Sequence, residues 1–170
     1  MNWNISHRAH PVARAIADRH YNRQSVGAIN FCPPGRAFVL VIPDIALWVT
    51  SWPFAEYVKH AWPGAWVCSA FRNERPDLHR SSDLIREAIA ATRWRWPDVP
   101  ALGMITFVDT GKTRRKRDPG RCYRRAGFVP ASPSHTVGGL VALQLHASNM
   151  PAADVPLGGH ADLLTMEALC

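Results

Sequence analysis

Lysine is nearly missing from this 170-residue chain: seventeen of its twenty basic residues are Arg and only three are Lys. Acidic residues are also few, thirteen in all, which leaves a formal net charge of +7. Arginine offers phosphate a planar, bidentate fork and stacks on bases, so the excess favours a nucleic-acid partner. A GC-rich coding source would give the same bias. The four cysteines, Cys32, Cys68, Cys122 and Cys170, include no C-x-x-C pair. That spacing argues against a zinc knuckle or a dense disulfide framework and for reduced thiols. His20, His60 and His79 lack metal-ligand spacing, so no metal site is expected. No apolar run reaches the roughly 18 residues that span a bilayer, and Met-Asn-Trp-Asn-Ile-Ser-His-Arg lacks a signal peptide's apolar core. The expectation is a soluble, cytoplasmic protein with no membrane partner. Repeats and low-complexity tracts are missing too. Gly111-Lys112-Thr113 looks like the end of a phosphate-binding loop, but the glycine required five positions earlier is Thr106, within an apolar strand, so nucleotide hydrolysis is excluded.

The apolar pattern supplies the elements. Pro11 followed by Val12, Ala13, Ile16 and Ala17 predicts a helix ending near His20. Residues 37–42 and 46–50 form a hairpin pattern around Pro43-Asp44-Ile45. A short helix is expected over 53–61 and a strand over 65–71. The clearest helix is 81–96, with Ser81 or Ser82 able to cap its start and Pro97 ending it. Strands at 102–108 and 140–145 flank a helix at 121–126. The fold class is therefore α/β (α+β), a mixed central sheet flanked by helices in the order α-β-β-α-β-α-β-α-β. One domain over 1–147 is expected. Residues 148–170 would form a tail whose apolar end, Ala161 to Leu169, docks on the domain or a partner.

The segment after Asp109 is the most informative: eight of the fourteen residues from Lys112 to Arg125 are Lys or Arg. Lys112, Arg114, Arg115, Lys116, Arg117 and Arg121 are candidate contacts to double-stranded DNA, against a plain solvated basic face. Tyr123-x-x-x-Gly127-Phe128 then resembles the last helix-to-strand corner of the GNAT acyltransferase superfamily, where the tyrosine protonates a leaving thiolate. Together with the element order, the resemblance covers roughly residues 10–146. It implies that the strand at 65–71 splays from its neighbour and that the following helix start receives the pyrophosphate of an acyl-coenzyme A, typically acetyl-coenzyme A. Free amides and the helix dipole favour an anion there in general. This chain departs from the family at Asn73-Glu-Arg-Pro-Asp-Leu-His-Arg80, which has no glycine where backbone would approach phosphate. The resemblance thus leaves the small-molecule group donor open.

Within that superfamily the chain is most similar to phage Mom-type DNA-modification proteins, which alter a base to block restriction. His20-Tyr21, Ser69-Ala-Phe71-Arg72, Ser81-Ser82, Thr106-Phe-Val-Asp109 and Gly120-Arg-Cys-Tyr123 resemble their short elements. The resemblance implies Asp109, Tyr123 and His20 as catalytic residues. It implies Ser69, Phe71, Arg72, Ser81 and Ser82 as the donor site, with a nucleobase amine as acceptor. Each residue also has a purely structural reading. Asp109 suits a turn, Ser82 a cap, and Arg72 an ion pair with Glu74 or Asp77. His20 suits a solvated helix end, and Tyr123 a packed ring with one hydrogen bond. Trp94 and Trp96, interleaved with Arg93 and Arg95, either complete the core or stack on nucleotides. Two other functions remain open: an acetyl-coenzyme A-dependent N-acetyltransferase on a protein or small-molecule amine, and a DNA-binding module without catalysis.

Overall fold

Alternation of apolar side chains sorts the central strands between two layers of helix. The computed structural model describes residues 1–113, 118–131 and 140–158. Its strands are β1 (Asn4–Ser6), β2 (Arg36–Ile42), β3 (Ala46–Trp52), β4 (Trp66–Asn73), β5 (Met104–Asp109), β6 (Val129–Pro130) and β7 (Leu140–Leu145). They build one seven-stranded sheet in the order β1-β2-β3-β4-β5-β7-β6. Among these described strands β4 and β5 alone pair with each other in parallel. The helices are α1 (Pro11–Asp18), α2 (Ser81–Arg95) and α3 (Arg121–Arg125). Val39, Val41, Leu47 and Val49 face Ala13, Ile16 and Ala17 of α1. Phe38, Leu40, Ile42 and Trp48 face Leu84, Ile85, Ala88 and Ile89 of α2. With both faces covered, β2 and β3 need an almost unbroken apolar run, which is how they stand out in the sequence. A buried polar chain ties the sheet to α2: Trp48 Nε1 donates to Thr50 Oγ1 (2.6 Å), which lies 3.1 Å from Thr92 Oγ1, and Thr92 donates to the Ala88 carbonyl (2.8 Å). Thr92 spends its proton on Ala88, so Thr50 must donate to Thr92. Every member is then satisfied, and a broken link would cost about 1–3 kcal/mol.

The mixed sheet between helices matches the expected class, and the element order needs three corrections. First, β1 precedes α1; its polar Asn4 and Ser6 carry no strand signal, and pairing with Val41, Leu40 and Val39 of β2 creates it. Second, the helix expected over 53–61 is a single 3-10 turn, Ala55–Tyr57. Phe54 and Tyr57, the apolar pair at helical spacing, are 56% and 76% exposed, so no core face rewards a helix there. Third, β6 adds a two-residue edge beside β7. The start of α2 is also corrected: its N-cap is Arg80 in extended conformation, with no side-chain cap, so Ser81 and Ser82 fall inside the first turn. The first helix ends at Asp18, two residues before the His20 expected.

Residues 148–158 pack on the domain. Met150 is buried in the α2 core, and Arg93 donates to the Pro151 carbonyl (2.6 Å). The Leu157 amide donates to the Trp3 carbonyl (2.8 Å) beside β1. The expected docking of Ala161 to Leu169 lies outside the described residues. Trp96 packs against Trp52, Trp66 and Phe38, which is the core reading of that ring. Among the described residues no helix is long and apolar enough to cross a membrane.

Gly103 sets how closely the chain can pass behind β7. Its φ is +67°, and a Cβ would lie 2.1 Å from the Leu145 carbonyl oxygen, a backbone atom that cannot rotate away. Gly103→Ala therefore adds a clash to the roughly 1–3 kcal/mol of left-handed strain. Urea unfolding should show a loss of at least about 2 kcal/mol; a loss below about 0.5 kcal/mol would show that the loop moves freely.

Candidate functional site

The parallel pairing of β4 and β5 lasts three residues, Trp66–Met104, Val67–Ile105 and Cys68–Thr106, and then stops. Beyond it, Ser69–Asn73 and Phe107–Asp109 belong to strands paired only on their outer sides. A register shift against β3 lies at the same place. Cys68 pairs with Thr50 and Ala70 with Val49, so Ser69 is the extra residue of a bulge. The bulge resets the alternation of β4. Cys68 and Phe71 face the α2 layer, while Ser69 and Ala70, although consecutive with them, face α1. One cavity lies against the α1 side of the parting strands, and a second lies between the start of α2 and α3.

The α2-side cavity, about 540 Å³, is lined by Arg80, Ser81, Ser82, Gly120, Arg121, Cys122 and Arg125, among others. Asp83 and Leu84 both donate to the Arg80 carbonyl, so the amides of Ser81 and Ser82 lie ahead of the helical ladder. Asn73 Nδ2 bridges the His79 carbonyl (2.8 Å) and Ser81 Oγ (3.1 Å), holding the glycine-free turn against the helix. Three arginines beside a helix start with no side-chain cap would favour an anion there. Asp118, also on the wall, is paired with Arg124.

Tyr123 sits beside this cavity, and the Tyr-x-x-x-Gly-Phe spacing has a direct structural cause. Phe128 N–H donates to the Tyr123 carbonyl and Gly127 N–H to the Arg124 carbonyl, both at 3.1 Å, with Gly127 at φ +106°. This is a Schellman ending of α3, and the Tyr123–Phe128 ring contact at 5.4 Å is its usual apolar accompaniment. The hydroxyl is a separate matter. It lies 3.5 Å from Cys68 Sγ, where β4 and β5 part. Burial raises its pKa well above the ordinary tyrosine value, and burial pushes the Cys68 thiol up to about 12. Both groups therefore hold their protons at neutral pH.

The α1-side cavity, about 690 Å³, lies between α1, the 22–34 loop and the parted strands; Phe31, Ser69, Phe107 and Lys112 are on its wall. His20 also lines it, nearly buried and stacked on Tyr21 with ring centroids 4.5 Å apart. His20 Nδ1 accepts the Asn22 amide (3.2 Å), so the neutral ring carries its proton on Nε2. Ser69 Oγ shares a 2.6 Å hydrogen bond with Ser51 Oγ. Asp109 ends β5; its Oδ1 accepts the Lys112 amide (2.9 Å) and its carbonyl takes the Thr113 amide and hydroxyl. One carboxylate oxygen thus closes a turn. Tyr21, named in the sequence only as the neighbour of His20 and given no role, has its phenol hydrogen-bonded to the Asp109 backbone and within electrostatic reach of Cys68 and Cys122. Burial pushes the Tyr21 phenol up as well.

The sheet therefore divides the expected donor site. Phe71, Ser81 and Ser82 share the α2 side with Tyr123 and Arg121. Ser69 opens to the α1 side, and Arg72 is tied to Glu74, which Arg19 also grips in a bidentate pair. The ends of the basic segment separate likewise: Lys112 reaches the Tyr21 carbonyl (3.3 Å), and Arg121 lines the α2-side cavity. Arg114, Arg115, Lys116 and Arg117 lie outside the described residues. Arg80 and Arg125 were missed by sequence reasoning; placing the cap one residue earlier would have marked Arg80, whereas Arg125 is brought in by packing. Among the described residues no three His, Cys, Asp or Glu side chains cluster as metal ligands.

Two measurements check this geometry. Hydrogen bonds from Arg19, joined by Arg72 and opposed by burial, hold the Glu74 carboxyl at about 2. Its ordinary unfolded value is about 4.3, so the contribution is complete above roughly pH 5 and is lost as pH falls toward 2. The difference in melting temperature between the wild type and Glu74→Gln should shrink across that window; a constant difference would mean that the carboxylate is not held by the two arginines. Tyr123→Phe keeps the Schellman contact, so urea unfolding should show a change under about 1 kcal/mol. A larger loss would make the hydroxyl a structural anchor.

No family model, curated protein or solved structure matches this chain.

Proposed function

We propose that this chain is a GNAT-like group transferase that modifies an exocyclic or installed amine of a nucleobase in DNA, protecting that DNA from restriction. The observation that carries the reading is the parting of β4 and β5, with an arginine-lined cavity at the start of α2 and a larger cavity on the α1 side. An anionic donor seated at Ser81 and Ser82 would extend past Tyr123 into the gap. An acceptor base would enter from the α1 side, where Phe31 and Phe107 offer apolar walls and Asn22, Gln24 and Asn30 offer amide groups. A base reaches such a recess only out of the stack, so local flipping is part of the reading.

The roles follow from protonation and position. Tyr123 keeps its proton at neutral pH and gives it to the leaving group. Asp109, with one oxygen committed to the turn, uses the other to orient or deprotonate the amine. His20 is the second candidate base on the acceptor side, and takes a proton on Nδ1 only by releasing the Asn22 amide. Arg80, Arg121 and Arg125 neutralise the donor's anionic part. Acyl-coenzyme A suits the seat in charge, but the glycine-free turn over 73–80 disfavours close backbone approach to a pyrophosphate. The donor is therefore proposed only as an anion-bearing group donor. The basic segment and the arginine excess supply the attraction to the DNA backbone.

Mass spectrometry of nucleosides from DNA of cells expressing the chain should reveal a new modified nucleoside. Tyr123→Phe, folded, should lower its yield by about 10²- to 10⁴-fold, the usual range for general acid-base help. Asp109→Asn should lower it as well. Unmodified DNA alongside acetyl-coenzyme A-dependent acetylation of a protein or small-molecule amine would replace this reading with an ordinary N-acetyltransferase. Salt-sensitive DNA binding with neither reaction would leave a binding module.

A further inference from the structure

Outside both cavities, the chain exposes a group of aromatic rings built around a guanidinium that has no anionic partner among the described residues. Arg36, at the start of β2, stacks its Cζ 4.1 Å from the Trp52 ring centroid and 5.8 Å from that of Phe54. Among the described residues it makes no side-chain hydrogen bond or ion pair, although Glu56 lies on the neighbouring 3-10 turn. Trp52 is held by an edge contact to Trp66 (6.0 Å), a tilted contact to Trp96 (5.5 Å) and its indole N–H donating to the Gly64 carbonyl (3.2 Å). Phe54 and Tyr57 stand outward from this base, 56% and 76% exposed, with ring centroids 6.4 Å apart. The 3-10 turn that carries Tyr57 buries none of its residues, so the core does not account for these two rings.

We infer that Arg36, Phe54 and Tyr57 form a stacking platform for unpaired bases of a nucleic-acid strand. Aromatic faces take any base, and a guanidinium held flat on an indole presents donors to a phosphate or base edge while adding its own stacking surface. The choice of occupant rests on charge. The chain carries +7, and Lys59 follows closely on the same segment. Arg36 and Trp52 lie in register with the α2 face, and only their chain neighbours reach the acceptor cavity: Pro33 and Pro34, just before Arg36, line it, and His60, after Tyr57, contacts its Phe107 wall at 5.3 Å. The inference deepens the proposed DNA-modifying function, since a duplex opened to release one base leaves neighbouring bases unstacked. It concerns binding alone and requires no chemistry.

The test uses the full chain and two fluorescent oligonucleotides of equal length, one single-stranded with all its bases and one with a run of abasic sites. Phosphates are equal in the two, so the difference in Kd reads base stacking. The wild type should favour the base-bearing strand, and Phe54→Ala/Tyr57→Ala should reduce its affinity by about 5- to 100-fold while leaving the abasic strand nearly unchanged. Tyr57→Phe should retain the wild-type difference. Both side chains are exposed, and melting temperatures verify that the variants fold. Equal affinity of the wild type for the two strands, or an unchanged preference in the double variant, overturns the platform. Base-dependent binding with no modified nucleoside in cells would sink the proposed transferase and leave the platform standing.

Discussion

The early end of the β4–β5 pairing is the constraint on which the rest depends. Two adjacent parallel strands that remained hydrogen-bonded would close the sheet and separate its faces completely. Here the ladder stops at Cys68 and Thr106, and the bulge at Ser69 turns two consecutive residues to the α1 face. The outer strands keep the parted pair in order: β3 holds β4 as far as Asn73, and β7 holds β5 as far as Asp109. The gap is thus framed by complete ladders, which is why it can lie inside a sheet without fraying it.

The corner at Tyr123 shows how one short motif serves two purposes with different parts of the same side chain. The ring, its backbone carbonyl, Gly127 and Phe128 complete a helix ending that any small helix against a sheet would benefit from. The hydroxyl contributes nothing to that ending; it lies with Cys68 where the strands part. A structural motif of this kind fixes the ring, and Cys68 and Thr106 meet the hydroxyl where the strands part. Such positioning on a rigid corner suits a group that must hold a proton in place.

Charge is distributed with the same division of labour. Arg19 and Arg72 are consumed by Glu74, Arg23 by Asp18, and Arg75 by Asp77, so a share of the arginine excess holds loops in place. Arg80, Arg121 and Arg125 converge on the α2 start, and Arg36 lies on Trp52. Some of the described arginines are thus held by carboxylates, while others line the α2 start or lie on Trp52.

By itself the sequence determined the elements whose signal is local. Apolar runs marked β2, β3 and β7, helical periodicity with Pro97 marked α2, Pro11 marked the start of α1, and Tyr-x-x-x-Gly-Phe marked the end of α3. It also singled out the residues that surround the gap, because strand ends and helix starts leave free polar groups that short motifs can exploit. Tertiary structure alone decided the rest. Strand β1 exists only because β2 offers it a partner, and the 53–61 segment forms no helix because no core face awaits it. The bulge at Ser69 sent Ser69 and Phe71 to opposite faces, and pairing with Glu74 drew Arg72 away from Ser81 and Ser82. Tyr21 joined the site through a contact with Asp109, 88 positions away. Side-chain direction in a strand alternates residue by residue, so a one-residue irregularity that leaves no mark in composition or periodicity decides which side of the sheet each group serves.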